Sequence, residues 1–166
     1  MGAGYHGGFG TTYGSKRALK TGRVTLVNQN ITRGKLLEAI GGVTNHSSDI
    51  ATNINLGNIK LNVIGDELFE RVFGVSRDVK GLAINNKIYV RKNSMSLYSD
   101  VIHEGTHALD YLRGVSFADR AGWSGEIRAY TAEHNFQKAA KLEVEFKDEN
   151  DIRVHVWQNY SRKGEK

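Results

Sequence analysis

Apolar positions fall into clear periods from Asn58 onward and are irregular before it. Ile59, Leu61 and Val63 alternate with Lys60 and Asn62, which predicts a strand with one buried face. Asp66 is placed to cap a helix over Glu67–Phe73, where Leu68, Phe69, Val72 and Phe73 form one stripe and Gly74 follows as a stop. Two short apolar runs, Gly81–Ile84 and Lys87–Val90, flank Asn85-Asn86. Asparagine tolerates positive φ, so a two-residue Asn link between such runs predicts a hairpin. Leu97–Arg113 then reads as a helix, with Ser96 or Ser99 as cap, Gly114 as stop and Val101, Ile102, Ala108, Leu109 and Leu112 on its apolar side. After a loop containing Asp119 and Gly122, Ser124 is placed to cap a further helix from about Gly125 to Leu142. In the tail, Ile152, Val156 and Tyr160 fit a helical spacing, while Ile152, Val154 and Val156 fit strand alternation; helix is the preferred reading.

Upstream the signals are shorter. Arg23–Val27 alternates enough for a short strand, Lys35–Ile40 resembles a helix closed by Gly41-Gly42, and Ser47 or Ser48 can cap a second helix over Asp49–Ile54. Met1–Gly14 holds six glycines and no period of either kind. Ordering such a segment loses much entropy, so residues 1–20 are read as a flexible leader or linker and residues 21–166 as one domain. His6 reads there as an ordinary exposed histidine.

Composition narrows the chemistry. A chain of 166 residues with 39% hydrophobic and 25% charged positions is enough for one ordinary globular core. No run approaches the length of a transmembrane helix, and Met1–Gly14 lacks the basic and apolar regions of a signal peptide. There are no cysteines, so disulfides and thiolate metal sites are excluded, leaving His, Asp and Glu as metal ligands. The net charge of +5 is uneven: residues 1–60 carry seven Lys/Arg against Glu38 and Asp49, and the remainder carry sixteen of each sign. A basic arm of that size can touch nucleic acid or an anionic surface, but it has no stacking-aromatic motif or basic recognition helix, so nucleic acid is not the expected partner.

The predicted helix Leu97–Arg113 contains His103-Glu104-Gly105-Thr106-His107, an H-E-x-x-H. Histidines four apart on a helix share a face one turn apart, which lets two imidazoles hold one Zn²⁺ with Glu104 beside its open position. The bland alternative is a pair of ordinary histidines on an amphipathic helix. A catalytic zinc normally takes three protein ligands. The metzincin branch is excluded, because Arg113 stands where its third histidine falls and Asp110 where its glycine falls. Glu126 opens the next predicted helix, 19 residues past His107, where a helical hairpin would return it to the motif. It reads as the third ligand; the bland reading is a carboxylate favoured at a helix N-terminus, and both can hold together. Glu133, two turns on, is the rival ligand; His46 and His134 read as surface residues.

His103-Glu104-x-x-His107 with Glu126, inside Glu126-Ile-Arg-Ala-Tyr130, resembles the glutamate-zincin (gluzincin) metallopeptidases. The element order over about residues 58–142 is similar to their pared-down minigluzincin core. The H-E-G-T-H-A-L-D and E-I-R-A-Y stretches with a Gly-rich leader look like metallopeptidase domains at the C-termini of bacterial polymorphic toxins. The resemblance implies an α+β zincin-like fold: a small mixed sheet of about three strands, an active-site helix and a glutamate helix. It implies a zinc-dependent endopeptidase acting on a protein or peptide, with Zn²⁺ on His103, His107 and Glu126 and Glu104 as general base. A strand above the cleft would hold substrate in extended form, with Lys87–Arg91 the candidate. Asp110 would orient a ligating histidine or stand exposed, and Tyr130, His155 or Tyr160 would stabilise the oxyanion, Tyr130 equally serving as packing. As a toxin domain it would be secreted or delivered as part of a larger protein and be neutralised by an immunity protein. The rival readings are a basic nucleic-acid-targeting toxin and a non-catalytic, metal-stabilised binding module.

Overall fold

The computed structural model describes residues 3–6 and 32–160. The strand expected at Arg23–Val27 lies outside them. The order is β1 (Ala3–His6), α1 (Arg33–Ile40), α2 (Asn45–Leu56), β2 (Lys60–Ile64), α3 (Asp66–Phe73), β3 (Gly81–Ile84), β4 (Lys87–Arg91), α4 (Leu97–Leu112), α5 (Phe117–Ala121), α6 (Trp123–Ala139) and α7 (Glu149–Tyr160). Helices and one small mixed sheet make this an α+β architecture.

The sheet runs β1-β3-β4-β2. Asn85 takes φ 56° at the expected turn, and β3 and β4 pair antiparallel, Gly81 opposite Val90 and Ile84 opposite Lys87. β2 pairs parallel with β4, Lys60 opposite Lys87 through Ile64 opposite Arg91. The fourth strand corrects the expectation of a patternless Met1–Gly14: Ala3–His6 pair antiparallel with Ile84–Gly81, the ladder running from Ala3 opposite Ile84 to His6 opposite Gly81. The pairing is made by backbone groups, which leave no trace in a hydrophobic pattern.

α4 is the axis of the fold. Every residue from Leu97 to Asp110 is buried, and Val101, Ile102, Ala108 and Leu109 join a core with Ile40, Ile50, Ile54, Ile59, Ile88, Val90 and Phe136. A stripe predicts one covered face; here all faces are covered, because the sheet, α1, α2 and α6 all contact α4. Gly105 is what admits α2. A Cβ at Gly105 would lie 2.7 Å from Ile50 Cγ2, closer than real contacts come. Gly105→Val is therefore expected to destabilise the fold by about 1–3 kcal/mol, as overpacked cores do. Urea denaturation checks this, and adding Ile50→Ala should recover part of the loss if the contact is the cause.

Several boundaries move for identifiable reasons. α2 starts at Asn45, not Asp49: Thr44 is its cap and Ser47 the reciprocal partner, each side chain taking the other's backbone N–H at 2.9 Å. Asp66 falls inside α3 with Gly65 at the cap, and of the expected stripe only Phe69 is buried; Leu68 and Val72 are exposed. Ser96 is the cap position of α4, but its hydroxyl goes to Asp100 rather than to a backbone N–H. The expected loop at Asp119 contains α5, capped by Ser116, and α6 starts at Trp123 behind Gly122 instead of under a Ser124 cap. A Cβ at Gly125 would lie 1.9 Å from the Arg120 carbonyl oxygen, so glycine lets α6 start flush against α5. In the tail, Ile152 and Val156 are buried while Val154 is 43% exposed, which is helical and not strand burial.

Candidate metal centre

Three side chains converge inside the helical hairpin of α4 and α6. His103 and His107 lie one turn apart on α4, their ring centroids 5.3 Å apart, and α6 brings Glu126 to both from its first turn. Glu126 Oε2 is 3.2 Å from His103 Nε2, and Oε1 is 3.3 Å from His107 Nε2. One ligand atom from each of the three lies within 4.8 Å of the others, and all three side chains are buried. They could hold a metal ion.

The spacing fits that use. Two donors each about 2.05 Å from a tetrahedral zinc stand about 3.3 Å apart. His107 Nε2 and Glu126 Oε1 make no well-aligned hydrogen bond among the described residues, although both are buried. Buried polar atoms are almost always bonded, and a cation held between them would satisfy both.

The electrostatics are those of a strongly coupled site. Burial opposes a charge on His103, but the hydrogen bonds with Glu126 and Glu133 outweigh it and bring its pKa up to about 10. Burial likewise opposes charge on Glu126, yet His107 and His103 hold its carboxyl down at about 2. Glu104 is moved the other way, well above the carboxylate range, by burial first, with the His103 charge opposing and the Glu126, Asp100 and Glu133 charges reinforcing. Glu104 is wholly buried and lies against β3: a Cβ at Gly81 would stand 3.0 Å from its Cγ and 3.1 Å from its Oε1. Glycine at the first residue of β3 is what leaves space for this carboxylate.

The partner that orients a histidine is not the expected one. Asp110 receives the Arg128 guanidinium, Nε at 2.9 Å and Nη2 at 2.8 Å, rather than serving His107. Glu133 does the orienting: its Oε2 lies 3.1 Å from His103 Nδ1, on the side of the ring opposite the Nε2 that faces Glu126. The rival third ligand is thus the residue that fixes which nitrogen of His103 points inward. A signal existed, since Glu126 and Glu133 share a helix face seven residues apart, but only the hairpin geometry decides which of them meets which nitrogen. Glu133→Gln is expected to weaken the affinity for a divalent metal ion by about 10–100-fold while the fold persists. Competition against a chromophoric chelator measures it.

Tyr130, His155 and Tyr160 do come together. The Tyr130 ring meets His103 edge-on at 4.4 Å, its hydroxyl is 2.7 Å from Tyr160 Oη and 3.4 Å from His155 Nε2, and α7 supplies both partners. Burial pushes the Tyr130 phenol well above its usual range, with Tyr160 and Glu126 adding to it, so the group stays protonated. Its visible role is packing between α4, α6 and α7. Of the two histidines expected on the surface, His134 is buried, and His46 is half-buried with Nε2 2.8 Å from Thr106 Oγ1. Lys87–Arg91 does not have the place in the sheet that a substrate-holding strand needs. β4 is bonded by β3 on one side and β2 on the other, so it has no open edge.

No protein-family model matches the chain, and no curated protein or solved structure does either.

Proposed function

We propose that this chain is a zinc-dependent peptidase of the glutamate-zincin kind. The observation that carries the reading is the convergence of His103, His107 and Glu126 on one point, with Glu104 buried one residue along from His103. Two imidazoles and a carboxylate, without thiolates, suit Zn²⁺ with an open position. Bound there, zinc would polarise a scissile carbonyl and make water a stronger acid. Glu104 takes the proton from the attacking water and returns it to the leaving amine. Burial raises the Glu104 carboxyl well above the ordinary carboxylate range, which favours its taking up a proton. Glu133 keeps the His103 proton on Nδ1 and leaves Nε2 as the donor.

The stretches His103–Asp110 and Glu126–Tyr130 also support an extension of the proposal: a toxin domain delivered into a competing cell as part of a larger protein, with an immunity protein blocking it in the producer.

The test is metal content together with cleavage of an unfolded protein such as reduced casein. The expected result is one zinc per chain, with cleavage stopped by a chelator and restored by zinc. The complete burial of His103, Glu104 and Glu126 favours one second reading, a closed structural ion. Calorimetry separates the two: if chelation unfolds the chain the ion is structural, and if cleavage stops while the fold persists the ion is catalytic.

A further inference from the structure

The sheet offers few places where an extended chain could pair beside Glu104. Gly81 at the start of β3 lies against that carboxylate. β4 is bonded on both sides, and the outer edge of β2 lies two strand spacings from β3, about 10 Å. Among the described residues, the outer edge of β3 is therefore the ladder edge next to the proposed base. That edge is already filled. Ala3–His6 pair with it antiparallel, and His6 stands opposite Gly81.

The filling segment is a poor intrinsic strand, Ala-Gly-Tyr-His, with no alternation and a neighbourhood rich in glycine. Its pairing relies on backbone groups, which any extended peptide possesses. Strand addition to a sheet edge draws its affinity from main-chain hydrogen bonds in the same way.

We propose that Ala3–His6 is an internal occupant of the outer edge of β3 and competes there with an incoming extended peptide, so that the chain carries its own competitor for the edge on which the peptidase reading expects substrate to pair. The competing ligand's class rests on the peptidase reading above; the occupancy of the edge does not. A four-residue edge strand is among the first parts of a fold to open, and being covalently joined it acts at an effective concentration in the millimolar range. It thus excludes weak peptides and yields to strong ones. Because the apparent dissociation constant is the intrinsic one divided by the fraction of molecules with the edge open, an edge open in about a tenth of the molecules or fewer means that removing the occupant tightens peptide binding about tenfold or more.

The experiment uses the full chain in three forms. Gly4→Pro with Tyr5→Pro removes two successive backbone N–H groups, of which alternation turns one toward β3, and so opens the edge. Gly4→Cys with Ala83→Cys places one cysteine on each member of a directly opposed pair in a chain that has none of its own, so oxidation locks the edge and reduction releases it. Wild type is the reference. The probe is a fluorescein-labelled peptide with the sequence of residues 1–10, followed by anisotropy. The proline form is expected to bind it at least about tenfold more tightly than wild type. The oxidised cysteine form should not bind it, and reduction should return wild-type binding. Equal binding by wild type and the proline form, or undiminished binding by the oxidised form, overturns the proposal. Casein cleavage by the same forms is measured in parallel and should follow the same order. If the binding order holds and none of the forms cleaves casein, the peptidase reading falls while competition for the edge stands.

Discussion

Replacing Glu104 by Gln is expected to lower casein cleavage by about 10²–10⁴-fold, the usual contribution of a positioned acid–base group, while zinc content stays at one per chain. The amide keeps the shape of the carboxylate in a space that Gly81 leaves open for it, and Glu104 is not among the ligand set. What it loses is the ability to take a proton. A further consequence separates this role from a structural one. Burial raises the Glu104 carboxyl well above its ordinary range, so the folded chain binds that proton more tightly than the unfolded chain does. A carboxyl shifted upward stabilises the fold below its unfolded pKa, and that contribution is lost as pH rises from there toward the folded value. The glutamine form has no such loss. In chelator-treated protein it should therefore melt above wild type at neutral pH, with the difference vanishing below about pH 4, near the unfolded carboxyl pKa. A variant that is inactive yet more stable is the signature of a group kept for chemistry. Undiminished cleavage by Glu104→Gln would end the hydrolase mechanism.

How much of this was legible in the sequence depended on whether the information was local. His103 and His107 declare themselves because four residues make one turn, and Glu126 because a helical hairpin of that length returns its second helix to the first. The hairpin at Asn85 is a local φ requirement and was readable for the same reason. Glu133 was visible only as the rival to Glu126. Its separation along α6 is a sequence fact, whereas its meeting with His103 Nδ1 depends on how two helices cross. Asp110 drew attention by being close to His107 in the chain, yet a helix crossing gave it Arg128 instead. Topology hid more. Nothing in Lys87–Arg91 says that a parallel strand covers its far side, and nothing in Ala3–His6 says strand at all, since the pairing rests on the backbone. α5 escaped because five residues are too few to show a helical period. Nothing in the sequence marks Gly81, Gly105 and Gly125, although each is a close approach that sets where Glu104, the motif helix or Glu126 stands.

Glu126→Gln is expected to weaken zinc binding by more than the 10–100-fold typical of an outer-sphere partner, and to change the protons released on binding. Glu126 touches both His103 and His107 and is the anionic member of the candidate ligand set. A metal ion at this site competes with the proton that Glu126 and Glu133 hold on His103, whose pKa of about 10 makes that proton present at pH 7.5. Zinc binding by wild type should therefore release about one proton from His103, and affinity should rise with pH by about tenfold per unit up to the region of that pKa. In Glu126→Gln one of the two hydrogen bonds that raise His103 is weakened, and the negative charge beside it is gone. Burial, which favours the neutral ring, then weighs more heavily, so His103 gives up its proton at lower pH and less is released. Titration calorimetry in two buffers of different ionisation enthalpy reads the proton count directly. A loss of affinity with an unchanged count would mean that Glu126 binds the ion without governing His103. An unchanged affinity would remove Glu126 from the ligand set and, with it, the glutamate-zincin reading.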